Sequence, residues 1–223
     1  TKASQGPEPQ STEYLELDNN ALRKTSALTR EVALVLSYND ISQAVMMVSP
    51  GDLKDFVLGF SLTQSIITSP EQIYDIKFNW EEAACLAQIS IANRAFWQLK
   101  ETRRQLAGTS GCGICGVEAL EQALPELTQL NWQRPPSNEA LTNLREKVVE
   151  AQRAARQSGA LHAALYVDAQ GQVRLCREDI GRHNAMDKLI GAMNLAKVKP
   201  KEGFVVITSR CSLELIQKAV RAG

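Results

Sequence analysis

Two cysteines, Cys112 and Cys115, lie three positions apart in the stretch Gly108–Gly116 and are the residues of this chain best suited to chemistry. Glycine fills four of the nine positions, so a tight loop with accessible backbone N–H groups is expected. Residues 117–124 follow with helix-forming residues at amphipathic spacing. A thiol just before a helix has a lowered pKa, because the positive end of the helix dipole favours the thiolate. The pattern therefore predicts a reactive-thiol site.

A Cys-x-x-Cys pair also occurs in structural zinc sites, thiol–disulfide redox centres and zinc deaminases. A zinc site usually needs two more Cys or His ligands, whereas this chain has no second such pair and only two histidines, His162 and His183. A redox centre of the thioredoxin type lies soon after a first strand, whereas a long segment precedes Cys112. Zinc deaminases carry a His-x-Glu motif earlier in the chain, and no histidine precedes Cys112. A thiol that attacks or carries another group is favoured, and the zinc and redox alternatives stay open.

The stretch Asp179–Lys188 is a second candidate site. Arg182 and His183 stand beside the start of a predicted helix, where backbone N–H groups favour an anion such as phosphate. A capped helix with surface ion pairs is the alternative interpretation.

The stretch Thr208–Lys218 is a third candidate. A strand, a short polar turn and a helix follow in that order, as at the ligand-binding edge of an α/β sheet. The alternative is a capped helix in which Glu214 and Lys218 form an ordinary i,i+4 ion pair. His162, just before a predicted strand, is interpreted as a structural histidine.

The composition is that of a globular protein, with 44% hydrophobic and 22% charged residues. The 25 basic and 25 acidic residues give no support for binding to nucleic acid or to a membrane surface. No apolar run approaches the roughly 20 residues of a transmembrane helix, and the polar N-terminus lacks a signal-peptide pattern. Cys85, Cys176 and Cys211 occur singly, as expected of buried small hydrophobic residues. We therefore expect a cytoplasmic protein in a reducing compartment.

Strand and helix patterns in both halves of the chain predict a mixed α/β fold with two domains. Residues 1–13 are polar and are expected to be a disordered lead-in, and residues 14–130 to form a small N-terminal α/β domain ending in the cysteine loop and its helix. The stretch 131–138 is the predicted linker to a second α/β domain, 139–223. A buried strand followed by a helix normally returns to another strand, so we expect this last domain to be truncated at Gly223.

Several elements are predicted individually. Asn39–Asp40 separates two apolar segments and predicts a two-residue hairpin turn. Ser49 or Asp52 is expected to cap a helix that extends to about Ile67. One helix is expected between the linker and about Gln157.

The chain contains, in order, the motifs Val45–Pro50 with Leu58–Leu62, Gly108–Gly116, Leu161–Ala164, Asp179–His183 with Asp187–Leu189, and Ser209–Ser212 with Glu214 and Lys218. Taken together, these motifs resemble those of the FdhD/NarQ family of formate dehydrogenase accessory sulfurtransferases. The resemblance covers roughly residues 30–223. Two departures stand out: Thr63-Gln-Ser65 replaces a Ser-Glu-Gly run that often follows the second motif in the family, and the family continues past Gly223 with strands and a basic, glycine-containing segment.

The resemblance implies a sulfur carrier. A cysteine desulfurase would pass persulfide sulfur to Cys112, with Cys115 as its companion, and the sulfur would go to the molybdenum cofactor before that cofactor enters formate dehydrogenase. The C-terminal domain would have a cytidine-deaminase-like fold without the zinc ligands. Two rival interpretations are a thiol–disulfide redox protein that uses both cysteines and a non-catalytic chaperone that binds the cofactor.

The implied substrate is molybdopterin guanine dinucleotide, which is rich in phosphate. Helix N-termini and charge-assisted hydrogen bonds would form its pocket. The expected partners are the desulfurase and formate dehydrogenase, with a homodimer left open, and we expect no nucleic acid, no membrane and no metal held directly by the protein. The residues expected to bind the cofactor are Arg182, His183, Ser209, Arg210 and Ser212.

Overall fold

The computed structural model of the chain describes residues 10–17, 22–82, 84–108 and 127–223. Cys112, Cys115 and the helix predicted at 117–124 lie outside the described residues. Within the described ranges the fold is mixed α/β, as the sequence predicts, and it contains a two-stranded, a four-stranded and a three-stranded sheet.

The first sheet is a pair of antiparallel strands, β1 (Gln10–Glu16) and β2 (Leu22–Leu28). Residues 10–13 are therefore in a strand, and the prediction that they belong to a disordered lead-in is wrong. Their polar composition gives no alternation of apolar and polar residues, so the signal on which strand prediction depends is missing.

The four-stranded sheet contains β3 (Val32–Tyr38), β4 (Ile41–Val48), β5 (Ile73–Trp80) and β6 (Ala84–Ile91) in the order β4-β3-β6-β5. β3 and β6 are parallel, and the other neighbours are antiparallel. The predicted hairpin turn is confirmed, since Asn39 and Asp40 both have positive φ, 43° and 67°.

Two helices accompany this sheet, α1 (Leu53–Thr63) and α2 (Asn93–Gly108), and a short 3-10 helix lies at Pro70–Gln72. Alternate residues of β3, such as Leu34 and Leu36, are fully buried in one core with Phe56 and Val57 of α1. α1 begins after Asp52, but the predicted cap is wrong, because the Asp52 side chain makes no capping hydrogen bond and the Ser49 hydroxyl accepts from the backbone N–H of Ile180 instead. The helix ends at Thr63, short of the predicted Ile67.

The second half of the described chain begins with three short helices, α3 (Asn138–Leu141), α4 (Leu144–Ala151) and α5 (Ala155–Ser158). The prediction of one helix to about Gln157 is wrong. Asn143 has a φ of 54°, which a right-handed helix does not allow, and this residue separates α3 from α4.

The three-stranded sheet contains β7 (His162–Asp168), β8 (Val173–Asp179) and β9 (Gly203–Ile207) in the antiparallel order β8-β7-β9. α6 (Arg182–Leu195) connects β8 to the 3-10 helix Pro200–Glu202 before β9, and α7 (Leu213–Ala222) follows β9. Tyr166 of β7 packs towards α6, whereas its neighbour Leu165 packs on the opposite face with Val148 of α4.

The two halves meet where α1 packs against α6, and glycine makes this contact close. A Cβ atom at Gly59 would lie 1.8 Å from the carbonyl oxygen of Asp187, and one at Gly191 would lie 1.9 Å from that of Asp55. Each helix thus needs glycine where the backbone of the other touches it. The division into domains at 131–138 and the cytidine-deaminase-like fold of the second half stay predictions.

Candidate functional site

The end of β8 and the start of α6 are fixed by a buried ion pair. Asp179 and Lys188 have no exposed side-chain surface, and their charged groups lie 2.7 Å apart. The Asp179 carboxylate also accepts hydrogen bonds from the backbone N–H of Ser49 at 2.9 Å and of Gly181 at 2.8 Å. Lys188 donates to the carbonyl oxygen of Ser49 at 3.0 Å. The ion pair therefore joins the turn before α1 to the start of α6.

A second buried ion pair joins α6, α7 and α1. Lys218 Nζ of α7 lies 2.8 Å and 2.9 Å from the two carboxylate oxygens of Asp187 on α6. Thr63, the last residue of α1, donates its hydroxyl to Asp187 at 2.7 Å, and Arg221 donates to the carbonyl oxygen of Thr63. Burial raises the pKa of Asp187, and the charge of Lys218 opposes this shift. The charges of Asp187 and Lys218 thus compensate each other inside the core.

The i,i+4 ion pair between Glu214 and Lys218, which belonged to the alternative interpretation of this stretch, does not form. Lys218 turns into the core to reach Asp187, and Glu214 instead lies 3.3 Å from Nε2 of His183, at the start of α6. Asp187 and Lys188 are likewise buried, so this part of α6 does not carry the surface ion pairs of the alternative interpretation. The contact between His183 and Glu214 brings the starts of α6 and α7 together.

Three of the five residues predicted to bind the cofactor carry a buried polar atom that has no hydrogen-bond partner among the described residues. These atoms are Nε of Arg182, Nδ1 of His183 and Oγ of Ser212. Ser212 is the N-cap residue of α7, yet its hydroxyl makes no capping hydrogen bond. Buried polar groups are normally paired, so a ligand can supply the partner of these three atoms. Thr29 and Gln43, outside the predicted site, each carry one such atom as well.

Burial is the main cause that lowers the pKa of His183 below its ordinary value. The Glu214 carboxylate opposes this shift, and the charges of Arg182 and Lys218 add to it. The lowered pKa favours the neutral form of His183 at neutral pH. If Nε2 carries the proton and donates towards Glu214, Nδ1 is a free acceptor.

Ser209 and Arg210 lie in the loop between β9 and α7, next to Ser212 in the chain. Arg210 is exposed and forms no ion pair within the part of the chain that the structure describes. The Ser209 hydroxyl donates to the carbonyl oxygen of Arg210 at 3.3 Å. The five predicted residues thus lie at the starts of two neighbouring helices and in the loop before the second.

Thr63 has a structural role that the sequence motifs do not indicate, and Glu214 contacts His183 instead of Lys218. In the sequence Thr63 is only a departure from a family motif, whereas its hydroxyl completes the contacts of Asp187. A polar residue at the buried end of an apolar helix was the available signal, because such a group needs a partner.

The single cysteines differ in exposure. Cys85 is buried and Cys176 is half-buried, and burial raises their pKa to about 11 and about 12. Cys211 is exposed, so the prediction that it is buried is wrong. In the described ranges no three His, Cys, Asp or Glu side chains are grouped so that they could hold a metal ion. Nor does any helix there have the length and apolar character needed to cross a membrane.

Comparison with known proteins places the chain in a family. The model of the FdhD/NarQ family matches residues 29–223. The chain is 41% identical to the "Sulfur carrier protein FdhD" of Cupriavidus necator over 200 residues, which are 88% of this chain and 68% of that protein. It is 38% identical to the protein of the same name from Bordetella petrii over 203 residues, 91% of this chain and 73% of that protein.

A crystal structure from Desulfotalea psychrophila, described as a formate dehydrogenase accessory protein, has a similar fold. Its TM-score is 0.69 at 20% identity, with 97% of this chain and 81% of the other covered. The family match covers most of the chain and agrees with relatives at about 40% identity. The chain therefore belongs to the FdhD/NarQ family.

Proposed function

We propose that this protein is a sulfur carrier that serves the maturation of formate dehydrogenase, and that Cys112 carries the sulfur as a persulfide. The observation that carries the proposal is family membership together with relatives named as sulfur carriers at 41% and 38% identity. The Cys-x-x-Cys pair in its glycine-rich segment supplies the thiol that this function requires.

The first step is sulfur acceptance from a cysteine desulfurase. The Cys112 thiolate attacks the outer sulfur of the desulfurase persulfide, a new S–S bond forms on Cys112, and the desulfurase cysteine leaves as a thiolate. No oxidant or reductant is consumed, because the sulfur moves between two thiols. Cys115 would be the companion thiol of Cys112.

The second step is delivery to the molybdenum cofactor, whose guanine dinucleotide carries phosphate groups. Arg182, His183 and Ser212 support this assignment, because each offers a buried polar atom without a partner in the described chain. Arg210 would add an exposed positive charge, and Ser209 a hydroxyl, in the loop before α7. Backbone N–H groups at the starts of α6 and α7 favour phosphate.

Sulfur acceptance is tested by intact-mass analysis after incubation with a cysteine desulfurase and free cysteine. We expect a mass gain of one or more sulfur atoms that is lost on reduction. The Cys112→Ala variant should lose the gain and the matched Cys115→Ala variant should keep it. In a thiol–disulfide redox protein, by contrast, redox exchange would require both cysteines. In a cofactor chaperone, neither substitution would impair function. Absence of any labile sulfur on the unchanged protein contradicts the proposal.

Cofactor binding is tested separately with a guanine nucleotide as the probe. We expect the Arg182→Ala and Arg210→Ala variants to bind it more weakly than the unchanged protein. Arg134, which is exposed outside the predicted site, provides the control variant Arg134→Ala. Equal binding by all four proteins would show that these arginines do not belong to the pocket. It would not contradict sulfur acceptance by Cys112.

A further inference from the structure

A groove of about 670 Å³ lies beside β8 and includes none of the residues assigned above to sulfur transfer or cofactor binding. One wall is formed by β8, and the other by α4, α5 and the segment that joins them. Asp52, at the start of α1, lies on its lining as well.

The groove follows the edge of β8. Six consecutive residues, Val173–Glu178, contribute to its lining. Successive side chains of a strand point to opposite faces, so an unbroken run means that the groove lies along the strand's edge and not over one face. Among the described strands β8 pairs with β7 only. An unpaired edge presents backbone N–H and C=O groups to which a further strand can bind.

The wall opposite this edge is positively charged. Arg153 has no carboxylate partner in the described residues, and Arg156 donates only to the carbonyl oxygen of Gln152, at 3.3 Å. Lys147 donates to the carbonyl oxygen of Gly171 at 2.7 Å, which leaves its charge uncompensated.

The acidic side chains of the groove cancel only part of this charge. Glu178 accepts hydrogen bonds from the backbone N–H groups of Ala154 and Ala155 at 2.9 Å and 2.7 Å, which hold its carboxylate at the same wall. Asp52 lies 3.6 Å from Arg177, which also pairs with Asp55 at 2.6 Å. The wall opposite β8 therefore has three cations, Lys147, Arg153 and Arg156, against the two carboxylates of Glu150 and Glu178.

Cys176 also lines the groove, but it does not make the groove a second sulfur site. Burial raises the pKa of this thiol to about 12, so it is protonated and a poor nucleophile at neutral pH. The groove is therefore suited to binding and not to thiol chemistry.

We propose that this groove binds an extended acidic segment of a partner protein, which adds as a strand to the free edge of β8. The backbone of the segment would pair with β8, and its acidic side chains would face Arg153 and Arg156. Backbone pairing gives affinity for an extended chain, and the charges select an acidic one.

The probe is a short fluorescent peptide of alternating Glu and Val, and its binding is measured by anisotropy. We expect saturable binding that weakens roughly tenfold in the double variant Arg153→Glu, Arg156→Glu. The charge-matched control is Arg134→Glu, Arg145→Glu, which reverses two exposed arginines that do not line the groove. A peptide with Gln in place of Glu, and one with N-methylated backbone nitrogens, should each bind more weakly. Bound peptide should protect Cys176 from slow alkylation and leave the exposed Cys211 unprotected.

Three outcomes overturn the proposal. The first is no saturable binding of the Glu-containing peptide. The second is an equal loss of binding in the control variant, which would mean attraction by overall charge. The third is competition by inorganic phosphate together with indifference to N-methylation, which would identify a small-anion site. Thiol substitutions at Cys112 and Cys115 should not change peptide binding, so this test is independent of sulfur transfer.

Discussion

Two regions of α6, one helical turn apart, differ in whether their buried polar groups have hydrogen-bond partners. At Asp187 the carboxylate is paired with Lys218 and with the hydroxyl of Thr63. At Arg182 and His183, by contrast, a buried nitrogen of each side chain lacks a partner among the described residues. Unpaired buried groups cost about 1–3 kcal/mol each, so a ligand that supplies the partner recovers part of that cost. The difference separates residues that hold the helices together from residues available to a ligand.

The largest expected effect is at the paired region. The Lys218→Met change leaves the Asp187 carboxylate buried without its counter-charge and should lower the free energy of unfolding by about 3–5 kcal/mol. The loss should shrink as the pH falls, because the raised pKa of Asp187 lets the buried carboxyl take up a proton. Urea unfolding at several pH values measures both effects.

Two controls sharpen this prediction. Lys199 forms an exposed ion pair with Glu202 at 3.1 Å, and Lys199→Met should cost less than about 1 kcal/mol. The double change Asp187→Leu, Lys218→Met removes both charges and should recover much of the loss. A single Lys218→Met variant as stable as the unchanged protein would contradict the assigned role of the ion pair.

A smaller effect distinguishes two hydroxyl groups. Thr63→Val removes a hydrogen bond to Asp187 and should cost about 1–3 kcal/mol, whereas Ser212→Ala removes a hydroxyl without a partner and should leave stability unchanged or slightly higher. The capping penalty does not apply to Ser212, since its side chain caps nothing. Thermal unfolding should show a loss of stability in Thr63→Val only, and guanine-nucleotide binding should be weakened in Ser212→Ala only. A stability loss in Ser212→Ala as large as that in Thr63→Val would contradict the assignment of the Ser212 hydroxyl as unpaired.

The smallest expected effect concerns the protonation of His183. Glu214→Gln removes the charge that raises the pKa of His183, so this pKa should fall further below its ordinary value. Because the unfolded state binds the proton more readily, the contribution of His183 to stability is present above the ordinary histidine pKa and decreases as the pH falls through it. The imidazole NMR signals of His183 follow the titration. A rise in the His183 pKa would contradict the contact with Glu214.

Local features of the fold could be predicted from sequence because their causes are local. The hairpin at Asn39–Asp40 depends on two residues that tolerate positive φ, and both adopt it. The break at Asn143 has the same conformational cause, but no glycine or proline marks it, so the patterns of α3 and α4 merged into one predicted helix.

Contacts of the candidate site were harder to predict because they join distant parts of the chain. Glu214 and Lys218 have the spacing of an ion pair on one helix, yet each pairs with a residue of α6 instead. A buried ammonium gains more from a desolvated carboxylate than from an exposed one, and burial is a property of the packed helices. Arg182, His183 and Ser212 could be named from their motifs, but only the packing reveals their unpaired atoms.

The separation along the chain of the groups that meet at α1 has a consequence for biosynthesis. Thr63 and Asp187 are 124 residues apart, so at about 5–20 residues per second the ribosome needs roughly 6–25 seconds to supply the partner of Thr63. During that interval the face of α1 around Gly59 has no α6 to cover it. Until then the nascent N-terminal half exposes the face of α1 that α6 covers in the folded protein.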